Sequence, residues 1–214
     1  MQGTLETLSK AVETGDDRKA LEIVKDELAK GTRPLELLNE GLVPGVQALG
    51  RLFKDGKVYL PEILISVRAM NRGLEELRPL LGSADIHNRG TVVLGSVEGD
   101  LHDIGKNLVK MMLESNGFKV VDIGVDVPVD SFVSAAKAEN ADVIAMSSLL
   151  TITMPEMARV SKALEEAGLK PKVKCIIGGA PVTREYAESI GCEGFAEDCV
   201  SAIDEVERLL KKQA

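Results

Sequence analysis

The chain has no tryptophan and, among its 214 residues, only four Phe and two Tyr. That leaves no run of aromatic faces on which single-stranded nucleic acid could stack. It also lacks a basic excess. With a net charge of −8, it has the wrong sign for a phosphate-backbone binder, and the acidity reads as solubility. No apolar run approaches the ~20 residues a membrane span requires. Met1 to Lys10 is polar and amphipathic with no apolar h-region, so no secretory signal is expected there. The three cysteines, Cys175, Cys192 and Cys199, are odd in number and lack C-x-x-C spacing. They predict reduced thiols in a cytoplasmic protein rather than a disulfide or zinc framework. There are two histidines, His87 and His102, too few for a multi-His metal centre.

What is present suits a folded protein: 44% hydrophobic and 28% charged residues bury a core and keep the surface wet. The length fits one large domain or two small ones, and the periodicity favours two. Up to about residue 80 the apolar residues recur at helical steps: Leu5, Leu8, Val12; Leu21, Val24, Leu28; Leu35 through Phe53; Leu60 through Leu77. Asp16 predicts the N-cap of the second helix, Gly31 its C-terminal stop, and Pro34 the first turn of the third. Four antiparallel helices with short connections make a bundle over residues 1–82. Small and polar residues at 83–90 read as a linker. From 91 to 214, short β-rich runs alternate with helical stretches in five βα units. This predicts an α/β domain, a doubly wound, flavodoxin-like parallel sheet of five strands. Such sheets take ligands beyond the carboxyl ends of their strands.

The loop after the first strand, Gly95-Ser-Val-Glu-Gly-Asp-Leu-His-Asp-Ile-Gly-Lys106, carries the chemistry. As a phosphate-binding loop it fails. Five residues separate Gly99 from Gly105-Lys106 where the motif needs four, and Asn107 stands where Ser or Thr would meet magnesium. As a His-Asp metal phosphohydrolase site, His102-Asp103 lacks the further histidines. The third reading is an Asp-x-His-x-x-Gly signature formed by Asp100, His102 and Gly105. Alone it is a weak motif, because a single loop histidine is more often a surface residue. Its company raises it: Ser147-x-Leu149 follows about forty residues on, and Gly178-Gly179 ends the fourth strand.

This combination resembles the cobalamin-binding pattern across the whole C-terminal half. In the N-terminal half, Leu52-Phe53-Lys-Asp-Gly-Lys-Val-Tyr-Leu60-Pro61-Glu62 resembles the helical cap of the same family. That family is the methionine synthase-like corrinoid proteins serving methanol, methylamine and methoxy-aromatic methyltransferases. The resemblance implies a cobalamin or related corrinoid cofactor, with His102 as the ligand to cobalt. It implies Asp100 as the partner of the second ring nitrogen, and Thr153 as the hydroxyl closing a relay where the family usually has Ser. Gly95, Gly99 and Gly105 would let backbone approach the cofactor, with Leu101, Asp103 and Ile104 alongside. Gly178 and Gly179 would flank its nucleotide tail, in a slot lined by Ser96, Ser147, Leu149 and Thr151. Phe53 and Leu60 would cover the upper face of the ring.

The implied function is a non-autonomous carrier of a methyl group on cobalt. It would accept the methyl from a substrate-specific methyltransferase and donate it to a second one acting on tetrahydrofolate or a thiol, with a reductive activase as a further partner. Neither nucleic acid nor a membrane is expected as a partner. A cobalamin-dependent sensor shares both domains but adds a DNA-binding module and a cap Trp, which this chain lacks. A carbon-skeleton mutase subunit lacks the helical cap.

Overall fold

A computed structural model describes residues 2–81 and 89–211. Most of the expected linker, 83–88, lies outside the described residues, as does His87. The described chain forms two compact units, one holding the first helices and the other the sheet with its own helices.

In the first unit, α1 spans Gln2–Glu13 and α2 spans Asp17–Ala29. The Asp16 carboxylate accepts from Lys19 N at 3.0 Å, satisfying one of the amides that the first turn leaves without a partner. At the other end, Gly31 takes φ +87° and donates to Leu28 O, a left-handed stop. The third helix is not the regular one its apolar spacing predicts. A short α3 (Pro34–Glu36) widens into a π-helical stretch, Leu37–Leu42, before α4 (Val43–Lys54). Pro44 supplies the reason, since it has no N–H for the Glu40 carbonyl and its ring crowds that position. The wider turn absorbs the mismatch, with Val43 N donating back to Leu38 O. α5 (Leu60–Leu77) begins at Pro61 and Glu62, whose carboxylate accepts from Tyr59 N at 3.1 Å. Leu8, Val12, Val24, Leu42, Val67 and Leu77 are fully buried, the stripes that the periodicity marked.

In the second unit the strands are β1 (Thr91–Val97), β2 (Lys119–Val127), β3 (Val143–Ser147), β4 (Lys174–Gly178) and β5 (Gly194–Ala196). Between and after them come α6 (Ile104–Ser115), α7 (Val129–Ala138), α8 (Met154–Glu166), α9 (Arg184–Ser189) and α10 (Ser201–Lys211). All pairings are parallel, in the order β2-β1-β3-β4-β5. Alternation along the strands sends Val93, Ile144, Met146, Cys175 and Ile177 to one face, packed with Phe132, Met157, Val160 and Leu164 of α7 and α8. Ile176 faces the other way, beside Leu209 of α10 where Gly194 brings the backbone close. The sheet is thus doubly wound. The chain moves from β1 outward to β2, then back past β1 to β3. At that reversal the loops leaving β1 and β3 separate in opposite directions and leave a crevice. Among the described residues no helix is long and apolar enough to cross a membrane.

Candidate functional site

The residues of that crevice come from the loops after β1 and β3. Asp100 is wholly buried, yet it lies beside the half-exposed ring of His102. Its Oδ1 accepts from His102 N at 3.0 Å and from the ring at Nδ1, 2.9 Å away. Its Oδ2 accepts from Leu149 N at 2.7 Å and from Thr153 Oγ1 at 2.9 Å. Burial alone would push this carboxyl up, but the four donors outweigh it and bring it down to about 2. The carboxylate is therefore ionised and can only accept, so Nδ1 of His102 must carry the proton. Nε2 points away from this carboxylate, has no partner among the described residues, and in the neutral ring carries the lone pair.

The histidine is held from a second side, where Ser96 Oγ donates to His102 O at 2.7 Å. Ser96 is buried, with its hydroxyl given to the histidine's backbone. Beyond Thr153 the hydroxyl chain continues to Ser148 Oγ at 2.8 Å. Ser148 is buried, whereas Ser147 is half-buried and in register with Gly178. The spacing that singled out Ser147 gave no sign of its neighbour's role.

The glycines divide by cause. A Cβ on Gly179, which holds φ +134°, would stand 1.8 Å from Ser148 O, and one on Gly178 2.8 Å from Ala196 O. At Gly95 it would press on Ile123 and Phe132, and at Gly99 it would lie 3.3 Å from Thr153 Cγ2. Those four have reasons internal to the protein. Gly105 has none: a Cβ there would meet nothing within 4 Å, although glycine weakens the first turn of α6.

Around this opening lies apolar surface that a soluble domain ordinarily hides: Leu101 is 71% exposed, Ile104 78% and Ile152 82%, with Leu149 and Leu150 also exposed. Asp103 and Thr151 are exposed as well, and the Asp103 carbonyl accepts the first bond of α6 from Asn107 N. A flat, largely apolar group ligated through nitrogen fits this surface. Leu101, Ile104, Leu149 and Ile152 would hold it, and His102 would ligate it through Nε2. In the helical unit, Phe53 and Leu60 are half-buried at the end of α4 and the start of α5. They are not in the bundle core, and Tyr59 and Leu64 near them are exposed.

Three charged residues to which the sequence gave no role in this site support the loop. Lys106 is 3% exposed and its Nζ lies 2.7 and 2.8 Å from the two oxygens of Asp122 on β2. Burial pushes the Asp122 carboxyl up, and the bonds from Lys106 and Gly124 more than reverse this, leaving it lowered. Asp126, also on β2, accepts from Gly99 N at 2.7 Å.

The B12 binding domain family matches residues 90–207, and a second B12 binding domain family matches residues 4–78. The chain is 39% identical over 202 residues to trimethylamine corrinoid protein 1 of Methanosarcina acetivorans, covering 94% of each. It is 44% identical over 186 residues to dimethylamine corrinoid protein 1 of the same organism, covering 86% of this chain and 87% of that one. Among solved structures, it superposes with a TM-score of 0.85 and 29% identity on a chain of the methanol:cobalamin methyltransferase complex of Methanosarcina barkeri, covering 98% of this chain and 80% of that one. A cobalamin-binding protein of Desulfitobacterium hafniense gives 0.81 at 30% identity, covering 96% and 98%.

Proposed function

The chain belongs to the B12-binding family, and on that premise we propose that it is the methyl-carrying corrinoid subunit of a methyltransferase system. The cofactor is a corrinoid. It would receive a methyl group from a substrate-specific methyltransferase and yield it to a second enzyme acting on a thiol or tetrahydrofolate, with a reductive activase restoring lost activity. The supporting relatives are named for trimethylamine, dimethylamine and methanol, so a methylated amine or alcohol bound on a partner is the proposed donor. The proposed compartment is the cytoplasm. The proposed division of the chain is a cap over 1–82, a linker over 83–90 and a cofactor domain over 91–214.

The observation that carries this reading is His102, with Nδ1 tied to an ionised, buried Asp100 and Nε2 left for a metal. Bound cobalt would supply the nucleophile and the methyl-accepting site. The chain's own part is orientation and proton control. Ser96, Asp100 and the Leu149 amide fix the ring, and Thr153 steadies the carboxylate. Asp100 stays ionised far below neutrality, so it would keep the Nδ1 proton in place and Nε2 turned to a bound metal. The exposed Leu101, Ile104, Leu149 and Ile152 would exclude water on one face of a bound corrinoid. Phe53 and Leu60 are proposed to do so above it.

The test is reconstitution with hydroxocobalamin, reduction to the cobalt(II) state, and electron paramagnetic resonance of the wild type and His102→Ala. Nitrogen hyperfine splitting should be present in the first and absent in the second. A colourless protein, or a splitting indifferent to the substitution, would sink the proposal. Capture of a methyltransferase by the loaded protein supports the carrier; capture of none favours a cobalamin-dependent sensor.

A further inference from the structure

We propose that Asp126, at the end of β2, is a positioning residue that sets the reach of His102 toward the corrinoid cobalt; the inference rests on the reading above. Asp126 holds φ +53°, one of two non-glycine residues at positive φ among those described. A side chain in the left-handed region is disfavoured, and glycine would be the ordinary occupant of such a corner. Here the side chain is in use. Its Oδ1 accepts from Gly99 N at 2.7 Å, while the Asp126 amide donates to Asp100 O at 2.9 Å. One exposed residue therefore grips two consecutive residues of the β1 loop, immediately before the carboxylate that orients the ligand.

The surrounding backbone is built to allow this. Gly99 takes φ +80°, so its amide is presented in a direction an ordinary residue would not hold. The β1–β2 register slips twice, between Leu94 and Gly95 and again between Gly95 and Val97, which turns the end of β2 toward the loop. Farther back along β2, Asp122 accepts from Gly124 N at 3.0 Å across the irregularity. Backbone strain kept at a surface aspartate whose side chain goes to residue 99 and whose amide goes to residue 100 is the mark of a position held for geometry. Metal ligands tolerate little misplacement, and the groups that aim them typically change affinity by about 10- to 100-fold.

The experiment uses the full chain loaded with hydroxocobalamin. Asp126→Gly keeps the left-handed corner and removes the acceptor; Asp126→Asn keeps both the corner and an acceptor oxygen. The expected result is a corrinoid affinity about tenfold or more weaker in Asp126→Gly. The nitrogen-split cobalt(II) signal should shrink with it, and both readouts should be near wild type in Asp126→Asn. Combined with His102→Ala, Asp126→Gly should add no further loss, because its effect passes through the ring. Wild-type binding and spectrum in Asp126→Gly overturn the proposal. So does equal damage from Asn and Gly, which would assign the effect to charge, or full additivity with His102→Ala, which would assign it to general stability. Failure of His102→Ala itself to alter the signal would instead remove the cofactor reading.

Discussion

The carboxylate of Asp100 and the amide of Leu149 lie 49 positions apart in the chain and 2.7 Å apart in space. That bond joins the loop after β1 to the loop after β3, across the switch point of the sheet. The same carboxylate orients His102 on its other oxygen. Loop closure and ligand orientation therefore share one group, and perturbing either should disturb both.

Asp100→Asn tests this sharing. An amide offers one acceptor oxygen and one donor group where four donors now converge, so at least one buried donor would face another. A loss of about 2 kcal/mol in urea unfolding is expected, the cost of a buried donor left without its acceptor. Corrinoid affinity should fall at least ~10-fold. Unchanged stability would mean that the loops are held by something other than this carboxylate.

The same residue predicts an acid dependence. Its carboxyl is lowered from 3.8 to about 2 in the fold. A depressed value contributes stability above the unfolded pKa and loses it as pH falls toward the folded one. The contribution is about 2 kcal/mol at neutral pH, lost between roughly pH 4 and pH 2. Urea unfolding of the wild type and Asp100→Asn over pH 6 to 2 should show their difference constant down to about pH 4 and shrinking below it. A difference that stays flat to pH 2 would refute the assignment.

Much of this was legible before any coordinates. Period alone separated the helical half from the α/β half, and the Asp16 cap and Gly31 stop stand where local rules put them. Asp100, His102 and Thr153, picked out by the family resemblance, lie in one hydrogen-bonded chain. What escaped was set by tertiary geometry. The π-helical stretch Leu37–Leu42 depends on how Pro44 is accommodated, and apolar spacing does not report it. Nothing in the sequence marks Asp126 until its φ is known, and Lys106 enters only as the lysine of a failed phosphate loop until it is found buried on Asp122. Ser148 differs from Ser147 only through the turn that brings it to Thr153.

Lys106→Met should destabilise the protein although it removes a charge from a helix. The ammonium is buried against both oxygens of Asp122, and Lys110 at 3.4 Å from the same carboxylate compensates only in part. Breaking a fully buried pair costs about 3–5 kcal/mol, and partial exposure of Asp122 reduces this to about 2 kcal/mol. Because the pair ties α6 to β2 beside the histidine loop, cofactor affinity should fall as well. Thermal unfolding of the apo protein and a hydroxocobalamin titration read the two effects separately.

Gly105→Ala and Gly179→Ala should move in opposite directions, and the contrast separates a glycine kept for a ligand from one kept for the chain. At 179 a Cβ would stand 1.8 Å from Ser148 O at φ +134°. No rotamer relieves a clash between two backbones, so a loss of about 3 kcal/mol or more is expected, with or without cofactor. At 105 the added methyl meets nothing within 4 Å and lies in the first turn of α6. Alanine there should leave the apo protein as stable or firmer by about 0.5–1 kcal/mol. The corrinoid should nevertheless bind more weakly, since the methyl would occupy space beside His102 that the protein itself leaves open. Apo melting temperatures and titrations of both variants check this pair. A Gly105→Ala protein that is more stable and still binds with wild-type affinity would show that no ligand lies over that turn.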